Sequence, residues 1–258
     1  MSRYIQKKFL GSGTYSSVYL AEDTVTKTLV ALKKMKISVL EGIPATTLRE
    51  IAIIKGLNHP NILKYLDTLL SLEECVIIFE YVEFTLFQYV NKTNRLNLIN
   101  QLIKGVVYIH SNKIIHRDLK PENILVTKEG ILKIADFNLA RSVTFLQKEF
   151  ASEVVTLWYR SPELLKGKTD YSYYIDIWSL GCIIAEILGT PVIFQGKDAA
   201  NQLYLVENRK GQFLYNWLEY NLEDKRFVDL IMQCLNFDYE KRITAQELLN
   251  MFYEIANE

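Results

Sequence analysis

The sequence contains few of the residues that interrupt regular structure or cross-link a chain. Its 258 residues include 5 prolines and 11 glycines, with no Pro- or Gly-rich tract and no internal repeat, which argues against a long flexible linker. The 3 cysteines, Cys75, Cys182 and Cys234, lie far apart among apolar neighbours. This arrangement indicates neither a disulfide framework nor a zinc site. We expect reduced thiols in a protein of the nucleus and/or the cytoplasm.

The sequence also lacks an excess of charge of one sign and a long apolar run. Lysine plus arginine number 30, and aspartate plus glutamate also number 30, so no overall field attracts nucleic acid or anionic lipid. The apolar stretch 178–188 is short and contains Glu186. The charged residues near the amino terminus are not followed by an apolar segment. We therefore expect no nucleic-acid partner, no membrane association and no secretion.

Two kinds of hydrophobic periodicity divide the chain. Segments with β-strand character and turn signals between them come first, at residues 5–10, 17–22, 28–34, 63–70 and 75–81. A stretch with helical spacing, 46–57, interrupts them, and from about residue 96 the periodicity is mainly helical. The sequence therefore predicts an α+β fold in a single domain, 1–258. Its small antiparallel-sheet lobe with one helix covers about 1–81, and its mainly helical lobe covers about 84–258. Ligand pockets often form where such lobes join, so we expect one near residues 80–83.

The most informative segment is IHRDLKPENI, residues 115–124, together with the Asp-Phe pair that begins at Asp136. It sets one carboxylate, Asp118, near two oxygen-bearing side chains, Asn123 and Asp136. In phosphoryl transfer such a carboxylate accepts the proton of the attacking hydroxyl, and oxygen ligands hold the Mg²⁺ ions that bridge the nucleotide phosphates. Here the sequence resembles the eukaryotic protein kinases. The resemblance implies their bilobal fold, ATP and Mg²⁺ as cofactors, and contact of Lys120 with the transferred group.

A second segment, LGSGTYSSV at residues 10–18, resembles the glycine-rich loop of protein kinases. The missing side chains of such a loop let backbone amides approach phosphate oxygens. Taken alone, a Gly-Ser-Gly triplet indicates only a hairpin turn, and Ser16 replaces the third glycine of the family pattern. The resemblance assigns this loop to ATP, with expected contacts at Leu10, Gly11, Ser12, Gly13, Thr14, Tyr15 and Val18.

The motif VALK ends at Lys33 on the third predicted strand, which is its position in the same family. The resemblance implies that Lys33 reaches the nucleotide phosphates and pairs with Glu50 on the predicted helix. Considered in isolation, such a pair indicates only two solvated surface charges. The string from Pro44 to Glu50 resembles the cyclin-contacting helix of the cyclin-dependent kinases. It implies a cyclin-type regulatory subunit that moves the helix inward until lysine and glutamate meet.

The predicted join between the lobes supplies the remaining ATP contacts. The resemblance sets the backbone of Glu80 and Val82 against the adenine edge, with Phe79 behind it. Apolar side chains would form the walls of the pocket, although each is equally consistent with ordinary core packing. These side chains are Leu10, Val18, Ala31, Leu125 and Ala135.

The segment VVTLWYRSPE, residues 154–163, resembles the end of the activation segment in cyclin-dependent and mitogen-activated kinases. The resemblance implies that Thr156 hydrogen-bonds near Asp118 and Lys120. It also implies a pocket at Val155 and Arg160 that requires proline immediately after the target Ser or Thr. Proline suits this pocket because it has no N–H that would be left without an acceptor.

Two further pairings follow from the resemblance. Glu163 should pair with Arg242 and lock the helical lobe. Asp176, in the motif DIWSLGC, should brace the loop that carries Asp118. With these motifs the resemblance covers nearly the whole chain.

Regulatory positions are implied by the same family. Phosphate on Thr14 or Tyr15 would slow transfer because its charge lies beside that of ATP. The alternative is that both hydroxyls only satisfy turn geometry. Arg49, Arg117 and Arg141 match the three arginines that converge on a phosphothreonine of the activation segment.

The sequence departs from the family pattern at three places. Asn138 replaces the glycine that usually follows Asp-Phe, although asparagine tolerates a positive φ better than other non-glycine residues. The stretch between Gly189 and Arg242 is short, which argues against the small adaptor that docks there in cell-cycle kinases. Ala151 replaces the threonine that is phosphorylated for activation. A carboxylate such as Glu149 or Glu153, or a partner's acidic group, should then take the place of the phosphate. Phosphorylated Ser152 is the competing alternative.

We interpret the chain as a serine/threonine protein kinase of the cyclin-dependent type, acting in cell-cycle control. Two alternatives stay open. Ser16, Asn138 and Ala151 are compatible with a pseudokinase that acts as a nucleotide-sensing or cyclin-binding scaffold. A transcription-type cyclin-dependent kinase, which phosphorylates a polymerase tail, would carry the same catalytic motifs.

Overall fold

A computed structural model of the protein describes residues 3–13, 16–37, 42–142 and 157–257. The first part of the chain forms a five-stranded antiparallel sheet with the strand order β1-β2-β3-β5-β4. Helix α1 (Ala45–Lys55) lies between the third and fourth strands in the chain. The strands are β1 (Tyr4–Ser12), β2 (Ser17–Asp23), β3 (Leu29–Lys36), β4 (Tyr65–Leu70) and β5 (Glu74–Glu80).

The two faces of this sheet have different neighbours. Side chains alternate along a strand, so cross-strand partners form rows on one face. One such row contains Val18, Lys33 and Ile77, and the next contains Leu20, Ala31 and Phe79. This face belongs to the large core that continues into the helical lobe. The opposite face packs a separate small cluster of apolar residues, which includes Tyr4, Ala21, Val30, Leu32, Val76 and Ile78.

The second part of the chain is mainly helical and is organised around α5. This helix is buried along nearly its whole length, as expected of a helix that is apolar on all sides. It contacts α3 and α8, and α3 also packs against α9. The helices are α2 (Leu86–Tyr89), α3 (Arg95–Ser111), α4 (Pro162–Leu165), α5 (Tyr174–Ile187), α6 (Ala199–Asn208), α7 (Gln212–Asn221), α8 (Val228–Cys234) and α9 (Ala245–Ala256).

Short strands position the loops that carry the predicted catalytic residues. β6 (Phe84–Thr85), β8 (Ile124–Val126) and β9 (Leu132–Ile134) form one small sheet, and β7 (Ile114–Ile115) pairs with β10 (Arg141–Ser142). The loop between β7 and β8 contains Asp118, and the loop between β9 and β10 contains Asp136. Because β8 pairs with β9 and β7 pairs with β10, the two loops lie side by side.

The predicted α+β fold class, with a sheet lobe and a helical lobe, is confirmed by this architecture. The predicted strands at 17–22 and 75–81 differ by one residue from β2 and β5. The predicted helix at 46–57 ends earlier, because Gly56 caps α1 through its backbone N–H. The division into lobes of 1–81 and 84–258 stays a prediction.

Two further expectations can be compared with the structure. Cys75, Cys182 and Cys234 are buried free thiols. Burial raises the pKa of Cys182 and of Cys234, which keeps these side chains in the unreactive thiol form. Among the helices of the described ranges, none has the length and apolarity that crossing a bilayer requires.

Candidate active site

Lys33 connects three parts of the fold. Its Nζ donates to Oε1 of Glu50 at 2.7 Å and to Oδ1 of Asp136 at 2.8 Å. One ammonium group thus joins β3, α1 and the loop after β9. Burial alone would lower the pKa of Lys33, but the two carboxylates outweigh it and raise the pKa. Lys33 is therefore a fixed cation at the junction of the two lobes.

Helix α1 turns Glu50 toward the inside of the protein. Thr47 and Ile54, about one turn before and after Glu50, are buried on the same face. The Thr47 hydroxyl lies 3.6 Å from Sδ of Met35 on β3, so the helix packs directly on the sheet. Glu50 itself is 2% exposed. The two side chains that the sequence analysis paired are in contact, and they are not solvated surface charges.

Asp118 lies in the loop between β7 and β8, residues 116–123, which we call the catalytic loop. Nζ of Lys120 donates to its Oδ2 at 2.7 Å. Nδ2 of Asn123 donates to the same oxygen at 3.0 Å and to the backbone carbonyl of Asp118 at 2.8 Å. The Lys120 and Asn123 side chains both donate to Oδ2 of Asp118. Oδ1 is therefore the oxygen that can accept a proton from an incoming hydroxyl.

A buried carboxylate on α5 holds the catalytic loop in shape. Asp176 accepts the N–H of His116 at 2.8 Å and that of Arg117 at 2.9 Å, and it bonds to Nε2 of His110 at 3.0 Å. Burial would raise the pKa of Asp176, but these bonds and the nearby histidines outweigh it and keep the pKa below its ordinary value. Arg117 has a φ of 73°, a left-handed conformation that is strained for a residue with a Cβ. The backbone bonds to Asp176 offset that strain.

His116 links the catalytic loop to the segment that carries Asp136. Its Nδ1 accepts the N–H of Asp118 at 3.3 Å, so its Nε2 is the donor to the carbonyl of Ala135 at 3.0 Å. The His116 ring also meets the buried Phe137 ring edge to face, with centroids 4.8 Å apart. One imidazole therefore sets the spacing between the two loops.

The backbone strain near Asp136 is not where the sequence suggested it. Asn138 replaces a glycine of the family pattern, and asparagine tolerates the positive φ that a glycine would allow there. In the structure Asp136 has a φ of 63°, and Asn138 does not have a positive φ. The turn is made at Asp136, whose carboxylate contacts Lys33. Asparagine at position 138 thus requires no distortion.

The residues expected around adenine come from the five-stranded sheet and from the β8–β9 region. Val18 and Ala31 are half-buried on the sheet, and Leu125 is half-buried on β8. Phe79 and Ala135 are buried. The position of these five residues is compatible with the expected adenine walls. Leu10, on β1, is more exposed.

The chain that follows β5 leaves backbone groups of Val82 available to a ligand. The Glu80 carboxylate accepts Nζ of Lys133 at 2.9 Å and the N–H of Lys64 at 2.8 Å, so its side chain is already used. Val82 follows β5, and in the described part of the chain no residue hydrogen-bonds to its backbone N–H or C=O. A flat ligand edge with one donor and one acceptor could bind there.

The glycine-rich segment forms the turn between β1 and β2. The N–H of Gly13 donates to the carbonyl of Ser16 at 2.8 Å, and Ser12 pairs with Ser17. β1 and β2 thus form a hairpin across this segment. Among the described residues, an added Cβ at Gly11 would meet no atom within 4 Å, so the backbone there is open to a ligand. Thr14 and Tyr15 lie outside the described residues, so their contacts with ATP and their regulatory role stay predictions.

The segment that follows residue 156 is anchored on the helical lobe. Nε1 of Trp158 donates to the carbonyl of Gly196 at 3.0 Å. Gln202 bridges the same two residues, donating to the Trp158 carbonyl at 3.1 Å and accepting the Gly196 N–H at 2.7 Å. A Cβ at Gly196 would lie 2.5 Å from Gln202, so glycine permits this approach. The hydroxyl of Ser179 donates to the Tyr159 carbonyl at 2.8 Å and adds an anchor on α5.

Two arginines flank this segment. Burial lowers the pKa of Arg160, and the charge of Asp118 opposes the shift, which puts Arg160 beside the catalytic loop. Nη2 of Arg242 donates to Oε2 of Glu163 at 2.8 Å, and both side chains are buried. The implied pairing of Glu163 with Arg242 is therefore present. The other two residues of interest, Val155 and Thr156, lie outside the described residues.

Three arginines from different elements approach one another near the catalytic loop. They are Arg49 on α1, Arg117 in the loop and Arg141 on β10. Burial, with the positive charges of Arg117 and Arg49, lowers the pKa of Arg141 to about 10. The Arg117 guanidinium also lies 5.4 Å from the centre of the Tyr171 ring. Ala151 lies outside the described residues.

A fixed cation, a carboxylate with one open oxygen and two oxygen donors in adjacent loops can together carry out phosphoryl transfer. The chain matches the protein kinase domain over residues 4–253. The chain belongs to the protein kinase family. The kinase is also similar to a probable cell division protein kinase of Encephalitozoon cuniculi (strain GB-M1), with 46% identity over 257 residues and 97% of each chain covered. The resemblance to the cyclin-dependent kinases is confirmed at this level.

Protein kinases use ATP with a divalent metal ion, and two groups of this kinase fit such an ion. Nδ2 of Asn123 is used by Asp118, which leaves its Oδ1 as an acceptor. Oδ1 of Asp136 accepts a hydrogen bond from Lys33, and its Oδ2 is left to bind a metal ion. An amide oxygen and a carboxylate oxygen are the ligand types that hard cations prefer.

The sequence analysis missed several residues that position this site. His110 ends a helical run without a motif, and its partner Asp176 is 66 positions away. Gln202 is 44 positions from Trp158. His116 lies within the quoted motif, but its bond to Ala135 has no local signal. These contacts exist only in the folded kinase, so periodicity and spacing could not have identified them.

Proposed function

We propose that the kinase is a serine/threonine kinase of the cyclin-dependent type. It would transfer the γ-phosphoryl group of ATP, with Mg²⁺, to Ser or Thr followed by proline, and act in cell division in the nucleus and/or the cytoplasm. The observation that carries the proposal is the geometry at Asp118, where Lys120 and Asn123 share one carboxylate oxygen and leave the other open. The name of the similar cell division protein kinase supports the cellular role.

In this proposal Asp118 is the general base. Its Oδ1 accepts the proton of the Ser or Thr hydroxyl as that oxygen attacks phosphorus. Lys120 is held 2.7 Å from the other carboxylate oxygen, where its ammonium can also donate to the phosphoryl group that gains negative charge. Asn123 fixes the base in place through its bond to the backbone of Asp118, and this positioning lowers the entropy cost of the reaction.

The nucleotide would lie between the lobes. Lys33, which its two carboxylates keep cationic, would hold phosphate oxygens, and Glu50 fixes its Nζ at 2.7 Å. Asn123 and Asp136 would hold Mg²⁺, which when bound neutralises charge on the phosphates. The backbone of Glu80 and Val82 would contact the adenine edge.

The helix that carries Glu50 supports a cyclin-type partner. Leu48 lies on α1 and is 51% exposed, while Glu50 on the same helix is buried. A partner that covers such an outward leucine would hold the helix, and hence Glu50, against Lys33. Inhibition through phosphate on Thr14 or Tyr15 belongs to the same proposal.

The central experiment compares Asp118→Asn with the wild type, using purified protein, radiolabelled ATP and Mg²⁺. We expect kcat to fall by about 10²–10⁴-fold, because an amide cannot accept the proton. The Kd for ATP should stay within about twofold, because the base acts on the hydroxyl and not on nucleotide binding. Asp170→Asn, which changes an exposed aspartate of the same lobe, serves as the control. Equal kcat for the Asp118 variant and the wild type would reject the kinase proposal and favour the scaffold alternative.

Proline preference can be tested with paired peptides that differ only in the residue after the target serine. A residue other than proline strands one N–H, which costs about 1–3 kcal/mol. We therefore expect kcat/KM to be about 10–100-fold higher with proline than with alanine. Arg160→Ala should reduce this ratio, and Lys197→Ala, at an exposed site, should leave it unchanged. Equal rates on both peptides would contradict the preference while leaving the kinase proposal intact.

A further inference from the structure

One aromatic ring beside the catalytic loop is buried in a small core of its own. Tyr171 lies in the chain between α4 and α5 and is 5% exposed. It forms a separate apolar cluster with Ile115 on β7 and Ile175 on α5. Both neighbours are buried, so close packing holds the Tyr171 ring in one position and orientation.

The Tyr171 ring lies against the arginine of the catalytic loop. The guanidinium carbon of Arg117 is 5.4 Å from the centre of the ring, which is within the range of a cation–π contact. Burial raises the pKa of Tyr171, and the charges of Arg117 and Arg141 oppose that shift. The ring is therefore close to two of the three arginines that approach one another here.

The surroundings of Arg117 make this contact strong. Arg117 is half-buried. Burial lowers its pKa, and the charges of Arg49 and Arg160 add to this shift. A poorly hydrated cation gains more from the electron-rich face of a ring than a well-hydrated cation does. The Tyr171 ring thus supplies negative potential at a place where positive charges accumulate.

The position of the Arg117 side chain affects Asp118, which is the next residue. The Arg117 backbone has a φ of 73°, and Asp176 accepts its N–H at 2.9 Å. That bond holds the backbone of Arg117, whereas the Tyr171 ring holds its side chain. Without the ring, repulsion from the neighbouring arginines would displace the guanidinium, and the strained backbone before Asp118 would move with it.

We propose that Tyr171 is a positioning residue of the kinase, whose ring face holds the Arg117 guanidinium and thereby keeps Asp118 in place for proton transfer. The ring needs no modification, so this support is permanent, unlike a phosphate on the activation segment. The part of the proposal that concerns proton transfer rests on the proposed function. The contact itself does not, because it can be measured without turnover.

The contact is tested by fluorination, which weakens the π face of a ring while nearly preserving its size. Phenylalanine and its mono-, di- and trifluorinated analogues are placed at position 171, and urea unfolding is measured with Arg117 present and in Arg117→Met. From phenylalanine to the trifluorinated ring, the folding equilibrium constant should fall about 3–30-fold when Arg117 is present. In Arg117→Met, or in Arg117→Gln as a second neutral variant, it should change less than about twofold.

The effect on catalysis is tested with the same rings at position 171 in the active complex, using radiolabelled ATP. The kcat should fall stepwise with each fluorine, by about 3–30-fold in total. The KM for ATP should stay within about twofold, because the base is displaced and the nucleotide site is not. The same analogues at Tyr220, which is 87% exposed, are the control and should leave kcat unchanged.

NMR hydrogen exchange reports the displacement of the base without turnover. The N–H of Asp118 donates to Nδ1 of His116 at 3.3 Å, so a shift of the loop should open this bond. Exchange of the Asp118 amide proton should become several-fold faster from phenylalanine to the trifluorinated ring at position 171. With the analogues at Tyr220 it should stay constant.

Two results would overturn the proposal. Equal losses of stability with and without Arg117 would mean that the Tyr171 ring only packs. An unchanged kcat together with unchanged exchange at Asp118 would mean that the contact does not position the base. A wild-type protein without kinase activity would instead refute the proposed function, and the urea and exchange measurements would still decide for or against the contact.

Discussion

Among the individual residues, Glu186 on α5 has fewer hydrogen bonds than a carboxylate needs. Its Oε2 accepts the hydroxyl of Tyr159 at 3.2 Å, but its Oε1 is buried and has no hydrogen-bond partner among the described residues. Burial, with a smaller contribution from the charge of Glu122, raises the pKa of Glu186 to about 7. The folded protein therefore favours the protonated acid, in which one oxygen carries a hydrogen and less charge is desolvated.

This shift predicts a pH dependence of stability. The folded pKa lies above the ordinary value of 4.5, so the native state binds the Glu186 proton more tightly than the unfolded chain does. The resulting stabilisation is complete below pH 4.5 and is lost as the pH rises through 7. Between pH 5 and 8 the free energy of unfolding of the wild type should fall by about 1–3 kcal/mol more than that of Glu186→Gln. Urea titrations at several pH values measure this difference.

Glu254→Gln, at an exposed position, is the control and should follow the wild type at every pH. If the curves for the wild type and Glu186→Gln run parallel from pH 5 to 8, Glu186 does not titrate in this range.

At the scale of elements, the packing of α5 on α8 depends on a glycine. An added Cβ at Gly181 would lie 2.5 Å from Cβ of Cys234 and 3.2 Å from side-chain carbons of Leu235. The two helices can therefore approach closely only because residue 181 has no side chain. The central helix tolerates this residue although glycine weakens a helix interior by about 1 kcal/mol relative to alanine.

Gly181→Ala sets these two effects against each other. The alanine would gain about 1 kcal/mol of helix propensity, but the overpacked contact should cost about 1–3 kcal/mol. The clash involves a Cβ atom, which cannot rotate away, so we expect net destabilisation in urea unfolding. Gly56→Ala is the matched control, because its Cβ would have an ordinary contact of 3.5 Å, and it should be neutral or slightly stabilising. Equal stabilisation by both substitutions would contradict this account of the α5–α8 contact.

The elements also show how far sequence reasoning reaches. β2 and β5 were predicted to within one residue because their turns and apolar runs are local signals. The catalytic loop was found because its groups lie within a few positions of one another. The family resemblance predicts that Asp176 braces that loop. It does not predict that His110 bonds to Asp176, because the two residues are 66 positions apart. Roles assigned to residues 143–156 stay predictions.

At the scale of the whole molecule, three arginines from separate elements lie near one another. They are Arg49 on α1, Arg117 in the catalytic loop and Arg141 on β10. Burial, with the positive charges of Arg117 and Arg49, lowers the pKa of Arg141 to about 10, so an anion at this cluster would stabilise the three elements. Ala151 cannot carry a phosphate. We infer that a carboxylate supplied by the chain or by its partner takes this place.

This inference predicts activation by a cyclin-type partner without phosphate on the loop. Treating the active complex with a broad phosphatase should leave its kinase activity unchanged. Glu149→Gln or Glu153→Gln should lower the activity about tenfold or more, because the three half-buried arginines then lose their counter-charge. Glu254→Gln is the control.

A loss of activity that accompanies removal of phosphate from Ser152, Thr144 or Ser142 would contradict this account. The activating phosphate would then lie at another position of the loop, and no carboxylate would have replaced it.

The buried pair of Glu163 and Arg242 has a consequence for how the protein is made. The two residues are 79 positions apart, and all groups of the catalytic loop precede both of them. While the chain is still emerging from the ribosome, Glu163 has no guanidinium to neutralise it, and a lone buried carboxylate costs several kcal/mol. The end of the activation segment therefore cannot settle on the helical lobe until Arg242 has been synthesised. The nascent protein thus carries its catalytic groups, the last of which is Asp136, before Arg242 is made and the lobe that orders its substrate site can close.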